Sequence, residues 1–413
     1  MDSPLSFDQA PTSDPSVDSR AQKLLKQFHQ VFVLEESMES EIGKRVLDLC
    51  PSAEILSDWK KTKSQSLSSH EIERGKKTLV VRRHSGHFFK RCPGSTQKTA
   101  LTCCNYYVLN LGSQCNFDCS YCYLQSYLNQ AEVQIFSNTD EALAELRAMM
   151  LQHPDLPYRV GTGEITDSLS LDPLTLNSRK LIQQFKDFPR WTLEFKTKSD
   201  EIMAFLKVPH SKNVVVSWSL NPAEVVQSEE HGTAPLEARL RAAELCVQQA
   251  YSVAFHLDPM IFFEGWETAY RELVQRIAHS FRPEQVSVIS LGSLRIQPEQ
   301  RHLQRQRFPP ESLVNQAELF PSAQGKWRYD SLLRKRMSQL VLEEFRKHSP
   351  AWRVFLCMET PETWAASFGS TPMQNAELKD LFRPLPRPVA RAASDSSQEV
   401  SNQKPSSQGA SLA

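Results

Sequence analysis

Three cysteines stand within eight residues in the segment Leu109-Asn-Leu-Gly-Ser-Gln-Cys115-Asn-Phe-Asp-Cys119-Ser-Tyr-Cys122-Tyr-Leu124. Three thiolates at this spacing can each take one iron of a single [4Fe–4S] cubane. The fourth iron then has no protein ligand, and a substrate or cofactor can bind there. Structural zinc is the chief rival, but it wants four ligands, commonly as two paired knuckles, and no second pair follows. Cys103 and Cys104 precede the strand that leads into the loop, so they start at its opposite end. Chance is a weak rival: CxxxCxxC should arise in roughly 0.4% of chains of this length and cysteine content. Cys246 and Cys357 lie in apolar patterns and are expected to be small core residues.

The elements that must carry this loop can be read from periodicity. Apolar, β-type runs occur at 105–111, 158–161, 191–196, 213–219, 251–257 and 286–291, each expected as a buried strand. Helical patterns fall between them at 140–152, 178–185, 236–249 and 267–279. In the third, Leu236, Leu240, Ala243 and Val247 share one apolar face. Six alternations imply a parallel sheet with right-handed crossovers, and the residues after Leu294 supply no further clean pairs. The expected fold is therefore α/β, a partial (β/α)6 TIM-like barrel over residues 101–300. Its working face should lie at the carboxyl ends of the strands, where the cysteine loop begins.

Residues 1–20 and 388–413 are poor in bulky apolar side chains and are expected to be disordered. Residues 21–100 are expected as a helical, basic segment and 301–387 as a C-terminal extension. Formal net charge is +0, so nothing global points to nucleic acid. Between Lys60 and Lys98, however, eleven Lys/Arg face two acids, Glu71 and Glu73. Such an excess can bind a polyanion or be a solvated basic face. No apolar run approaches the ~18 residues a membrane span requires. The N-terminus lacks an apolar signal core, and an odd count of nine cysteines argues against a disulfide scaffold, so a cytoplasmic protein is expected.

CxxxCxxC after a first strand, with Tyr121 just before the last cysteine, resembles the signature of the radical S-adenosylmethionine superfamily. Five separated motifs resemble the spore photoproduct lyase family more narrowly. They are Cys92-Pro-Gly with 104–111, the loop 119–129, Gly163-Glu-Ile-Thr-Asp-Ser-Leu-Ser-Leu-Asp172, Thr197-Lys198 with Ser219-Leu-Asn221, and Glu264-Gly-Trp-Glu267. The resemblance implies a radical-SAM-type barrel with a [4Fe–4S] cluster on Cys115, Cys119 and Cys122. One electron would cleave S-adenosylmethionine to a 5′-deoxyadenosyl radical. It further implies that Thr166, Lys198, Ser219 and Asn221 bind the cofactor and that Tyr121 and Tyr123 lie near the radical path. The tyrosines could equally pack over the cluster and keep it dry. DNA is the implied partner, with a flavodoxin- or ferredoxin-like electron donor.

One departure carries weight. The lyase returns a hydrogen atom from a cysteine three residues before the aspartate matching Asp167, and that position here is Glu164. A carboxylic O–H is too strong to donate hydrogen as a thiol does. Gly161-Thr162-Gly163-Glu164 instead resembles the turn that holds the methionyl amine, and a carboxylate can pair with that ammonium. Three functions stay open: lyase-like repair of a DNA lesion, a radical enzyme on another substrate, and a structural or redox-sensing iron–sulfur protein. For the first, the basic segment and Arg328, Arg334, Lys335 and Arg336 could face phosphate, unless the latter four lie on a helix whose buried side is Leu332, Leu333, Met337, Leu340 and Val341.

Overall fold

A computed structural model describes residues 14–59, 67–92, 106–155, 158–322 and 325–369. In chain order the strands begin with β1 (Gln30–Leu34), β2 (Glu54–Leu56), β3 (Thr78–Arg82), β4 (Phe89–Arg91) and β5 (Tyr107–Leu109). There follow β6 (Gly112–Ser113), β7 (Asp118–Cys119), β8 (Val133–Phe136), β9 (Arg159–Gly161), β10 (Thr192–Thr197) and β11 (Val214–Ser219). The last are β12 (Glu230–His231), β13 (Ser252–Met260), β14 (Val286–Ser293), β15 (Arg295–Ile296), β16 (Phe320–Pro321), β17 (Trp327–Arg328) and β18 (Val354–Leu356).

The central sheet runs β18-β14-β13-β11-β10-β9-β5-β4, parallel except for the β4–β5 pair. It is the partial α/β barrel, with its six expected strands in consecutive order. β11 is buried along its whole length, as befits a strand with helices on one side and a filled lumen on the other. The helices Thr139–Gln152, Asn177–Lys186, Leu236–Gln248 and Trp266–Ser280 pack outside it. Leu181, Ile182 and Phe185, for example, are buried on the second of these, in the central core.

Three boundaries differ from expectation. A helix, Pro15–Leu25, already starts within the first twenty residues, capped by Asp14, whose carboxylate accepts from Ser16 N. Val17, Ala21, Leu24 and Leu25 bury one face of it, enough apolar contact to offset its ordering. Residues 21–100 are not merely helical and basic. β1 and β3 start a second sheet, β2-β1-β3-β8-β6, parallel except at β6. Its strands QVFVL and TLVVR are apolar runs that charge counting overlooks. Finally, β18 from the C-terminal extension extends the barrel beside β14. The expectations for residues 1–13 and 388–413, and Lys60, Lys61, Lys63, Lys98, Cys103 and Cys104, lie outside the described residues.

Candidate active site

The cysteine loop leaves the carboxyl end of β5, as the parallel sheet requires. Cys115 and Cys119 are buried, Cys122 is half-buried, and all three thiols are free of disulfides. Burial pushes the Cys115 thiol up to about 12, against the pull of Lys76, and raises Cys119 well above its ordinary value, against Lys198. A thiol so placed becomes a thiolate only with a cation bound to it, as a metal ligand does. Among the described residues, no three His, Cys, Asp or Glu side chains gather as they would around a single ion. Three thiols match three irons of one cubane, whereas structural zinc commonly takes four Cys or His ligands.

Elements far apart in sequence brace the loop. β7 pairs with β12, and Ser120 N donates to Glu229 O at 2.9 Å. The buried Glu229 carboxylate accepts from Ser120 Oγ, from Ser312 Oγ at 2.7 Å and from Leu313 N at 2.7 Å. The helix Pro298–Arg307 reaches over from beyond the expected barrel. Its Gln300 and Gln304 donate to the carbonyls of Tyr121 and Ser120, both at 2.8 Å. Arg307 grips Asp118 through both carboxylate oxygens at 2.9 and 2.8 Å.

A second buried network fixes Tyr121. Its hydroxyl donates to Glu230, which also accepts from Asn221 at 3.0 Å and pairs with Arg239 at 2.6 Å. Burial works to raise the Glu230 pKa, but Arg239 and Lys198 outweigh it and hold the carboxyl below its usual value. Arg239 also donates to Ser219 O at 2.8 Å, and Tyr270 donates to Asn221 at 2.9 Å. The Ser219 carbonyl and the Asn221 amide are thus held in this network, and both residues are buried. Lys198 Nζ lies 5.5 Å from the centroid of the Tyr121 ring, within cation–π range. Burial opposes the Lys198 charge, yet Glu230 and Cys119 leave its pKa above the ordinary value. Tyr121 is buried, whereas Tyr123 is 41% exposed at the mouth and donates to Glu164 O.

The 161–164 turn is packed closely by the chain's own side chains. A Cβ on Gly161 would lie 1.4 Å from the Tyr106 hydroxyl, so this glycine makes room for a protein side chain. The Glu164 carboxylate accepts from Asn110 at 3.0 Å and pairs with Lys90 at 3.2 Å, both through Oε2. The Thr162 hydroxyl is buried with no hydrogen-bond partner. Thr162 and Thr166 line a cavity of about 40 Å³ with Asp167, Ser168 and Asp172, room for a few waters. Asp167 accepts from Leu169 N, Ser170 N, Thr197 Oγ1 and Lys198 N, tying the second strand's loop to the end of β10.

The C-terminal basic cluster is largely consumed by the fold, whereas Arg74, Lys77, Arg83, Lys90 and Arg91 of the basic segment are exposed. Arg328 and Arg334 are buried against Glu359, and Arg336 pairs with Glu267. Met337, Leu340 and Val341 do form the buried side of the helix Ser331–His348, while Leu332 is 76% exposed. In the basic segment, Lys76 is buried, Arg83 pairs with Glu141 and Lys90 with Glu164. Spacing along the chain carries no signal for Lys76, Glu229, Glu230, Arg239, Gln300, Gln304 or Arg307. Apart from the Glu230–Arg239 and Glu230–Asn221 contacts, each nine residues apart, and the short bonds from Arg239 to Thr233 and Ala234, the contacts described for them cross twenty residues or more.

A family model described as spore photoproduct lyase matches residues 65–347. The spore photoproduct lyase of Clostridium acetobutylicum is 25% identical over 259 residues, covering 60% of this chain and 73% of that protein. The Bacillus subtilis protein of the same name is 27% identical over 172 residues, covering 41% of this chain and 50% of its own length. Among solved structures, a spore photoproduct lyase variant with bound AdoMet and dinucleoside spore photoproduct superposes with a TM-score of 0.68. It has 21% identity and covers 80% of this chain and 98% of that one. Another spore photoproduct lyase structure, complexed with the dinucleoside, gives 0.67 at 20% identity, with the same coverage of both chains.

Proposed function

The chain belongs to the spore photoproduct lyase family, and on that premise we propose that it is a radical S-adenosylmethionine enzyme repairing a DNA base lesion. In this reading Cys115, Cys119 and Cys122 would hold a [4Fe–4S] cluster, and S-adenosylmethionine would be the cofactor it serves to cleave reductively. When bound, the pair would supply the one-electron chemistry, with the electron coming from a flavodoxin- or ferredoxin-like donor. One observation carries the proposal: three disulfide-free thiols, two of them buried, sit at the carboxyl ends of barrel strands with Lys76 and Lys198 beside them.

The chain's own residues divide the remaining work. Lys198 presents its charge beside Cys119, and Glu164, whose Oε1 is not used by Lys90 or Asn110, takes the methionyl amine of the cofactor. Gly161, Thr162, Gly163, Thr166, Ser219 and Asn221 shape and brace the strand ends around it. Tyr121, committed to Glu230, keeps water from the loop. Tyr123, open at the mouth, is the tyrosine placed to meet a substrate radical. A lesion would have to be flipped out to reach this mouth.

Glu164 favours a second substrate class. With a carboxylate where the lyase has its donor cysteine, hydrogen return by that route is closed, and a non-DNA substrate fits as well. Anaerobic reconstitution with dithionite, assaying 5′-deoxyadenosine with and without ultraviolet-irradiated DNA, separates the two. Release stimulated by irradiated DNA is expected. Release indifferent to DNA supports the second class, and no release overturns both.

A further inference from the structure

The carboxyl end of the helix Ser69–Gly75 delivers a lysine into the back of the cysteine loop. Lys76 is 7% exposed. Its Nζ donates to Cys115 O and to Phe117 O, both at 2.7 Å. Among the described residues no carboxylate pairs with it. A buried ammonium resting only on neutral carbonyls is costly, because carbonyl dipoles replace part of its hydration and no countercharge cancels the rest.

Its placement is built into the fold. A Cβ on Gly75 would lie 2.4 Å from the carbonyl carbon of Ala131 and 2.5 Å from its oxygen. Backbone cannot yield at such distances, so glycine lets the helix end press against Ala131. That contact seats the next residue, Lys76, under the loop. The Lys76 charge is moreover one of the influences acting on Cys115.

A [4Fe–4S] core with three thiolates is a net anion, and reduction adds one more negative charge. We infer that Lys76 is a positioning residue whose fixed charge is the countercharge of the cluster on Cys115, Cys119 and Cys122, favouring both cluster binding and cluster reduction. The inference rests on the cluster assignment proposed above. It makes a lysine at the end of the helix Ser69–Gly75, just before β3 of the second sheet, part of the electronic environment of a site on the central barrel sheet.

The test compares the full-length chain with its Lys76→Gln and Lys76→Arg variants. Each is melted as apoprotein and after anaerobic reconstitution, with iron content and the EPR-monitored midpoint potential recorded. If the parent protein binds no four-iron cluster, the assignment itself fails, and this is seen before any variant is made. Given a loaded parent, Lys76→Gln should lower the reduced-to-oxidised ratio at fixed potential at least tenfold, 59 mV for one electron. It should also shrink the stabilisation gained on loading, while the apoprotein melts no lower than before. Lys76→Arg should restore both. A Lys76→Gln protein that fails to load, with apoprotein melting no lower, is the same result in stronger form. Full iron content at an unchanged potential overturns the inference, as does an equal loss of stability with and without cluster, because the lysine would then only tie the backbone.

Discussion

Replacing Glu230 with glutamine tests the network that holds the cysteine loop through Tyr121 and β12. The side chains of Glu230 and Arg239 are both fully buried and 2.6 Å apart. Removing one charge from such a pair leaves the other uncompensated, at a cost of about 3–5 kcal/mol. Arg239 keeps its bonds to Ala234 O, Ser219 O and Thr233 Oγ1, and glutamine still accepts one bond, so the low end, about 3 kcal/mol, applies. With an m-value of about 3 kcal/mol per molar urea, the midpoint should fall by roughly 1 M. The variant should also load less iron, because Tyr121 loses its charged acceptor and β12 pairs directly with the cysteine loop. The decisive comparison adds Arg239→Met to Glu230→Gln. Since the orphaned charge causes the damage, the double variant should unfold at higher urea than the single one. A single variant within 1 kcal/mol of the parent, or a double variant that loses the sum of both singles, would refute the charge argument.

Two further outcomes follow from the barrel lumen and the turn. Glu164→Gln should weaken S-adenosylmethionine binding by calorimetry on reconstituted protein, and unchanged affinity removes Glu164 from the cofactor site. His256 is buried, and burial with help from Lys196 holds its pKa down to about 4, despite its contact with Glu194 at 3.2 Å. The unfolded chain therefore binds the histidine proton between about pH 6.5 and 4 while the folded chain does not, so stability should fall as pH drops through that window. The shift is worth about 3 kcal/mol in full, and the loss should disappear in His256→Gln. Glu194 is also depressed, burial being outweighed only by Arg159 together with His256 and Ser217, and its contribution is lost as pH falls below about 4.5, mostly beneath the histidine window.

Much of the barrel is local information. The six central strands and four packed helices follow from apolar runs and 3.6-residue periodicity, because each element buries a face set by its own side chains. The cysteine spacing is local for the same reason: three sulfurs on one short loop need no distant residue to bring them together. The second sheet was legible too, in the apolar run of β1 and in Thr78–Arg82, but a count of charges hid it.

What the tertiary structure alone decided is where the charges went. Lys76 reads as one of eleven basic residues in a polar stretch, yet it ends under Cys115, 39 residues away. Arg307 finds Asp118 across 189 residues, and Arg328 and Arg334, cationic in sequence, turn inward to Glu359. A charge is buried only where a distant partner offsets its lost hydration, and sheet neighbours such as β14 and β18 are chosen the same way. Neither choice leaves a periodic trace in the chain, so composition names the groups and only the folded contacts assign them to solvent, to the core or to the site.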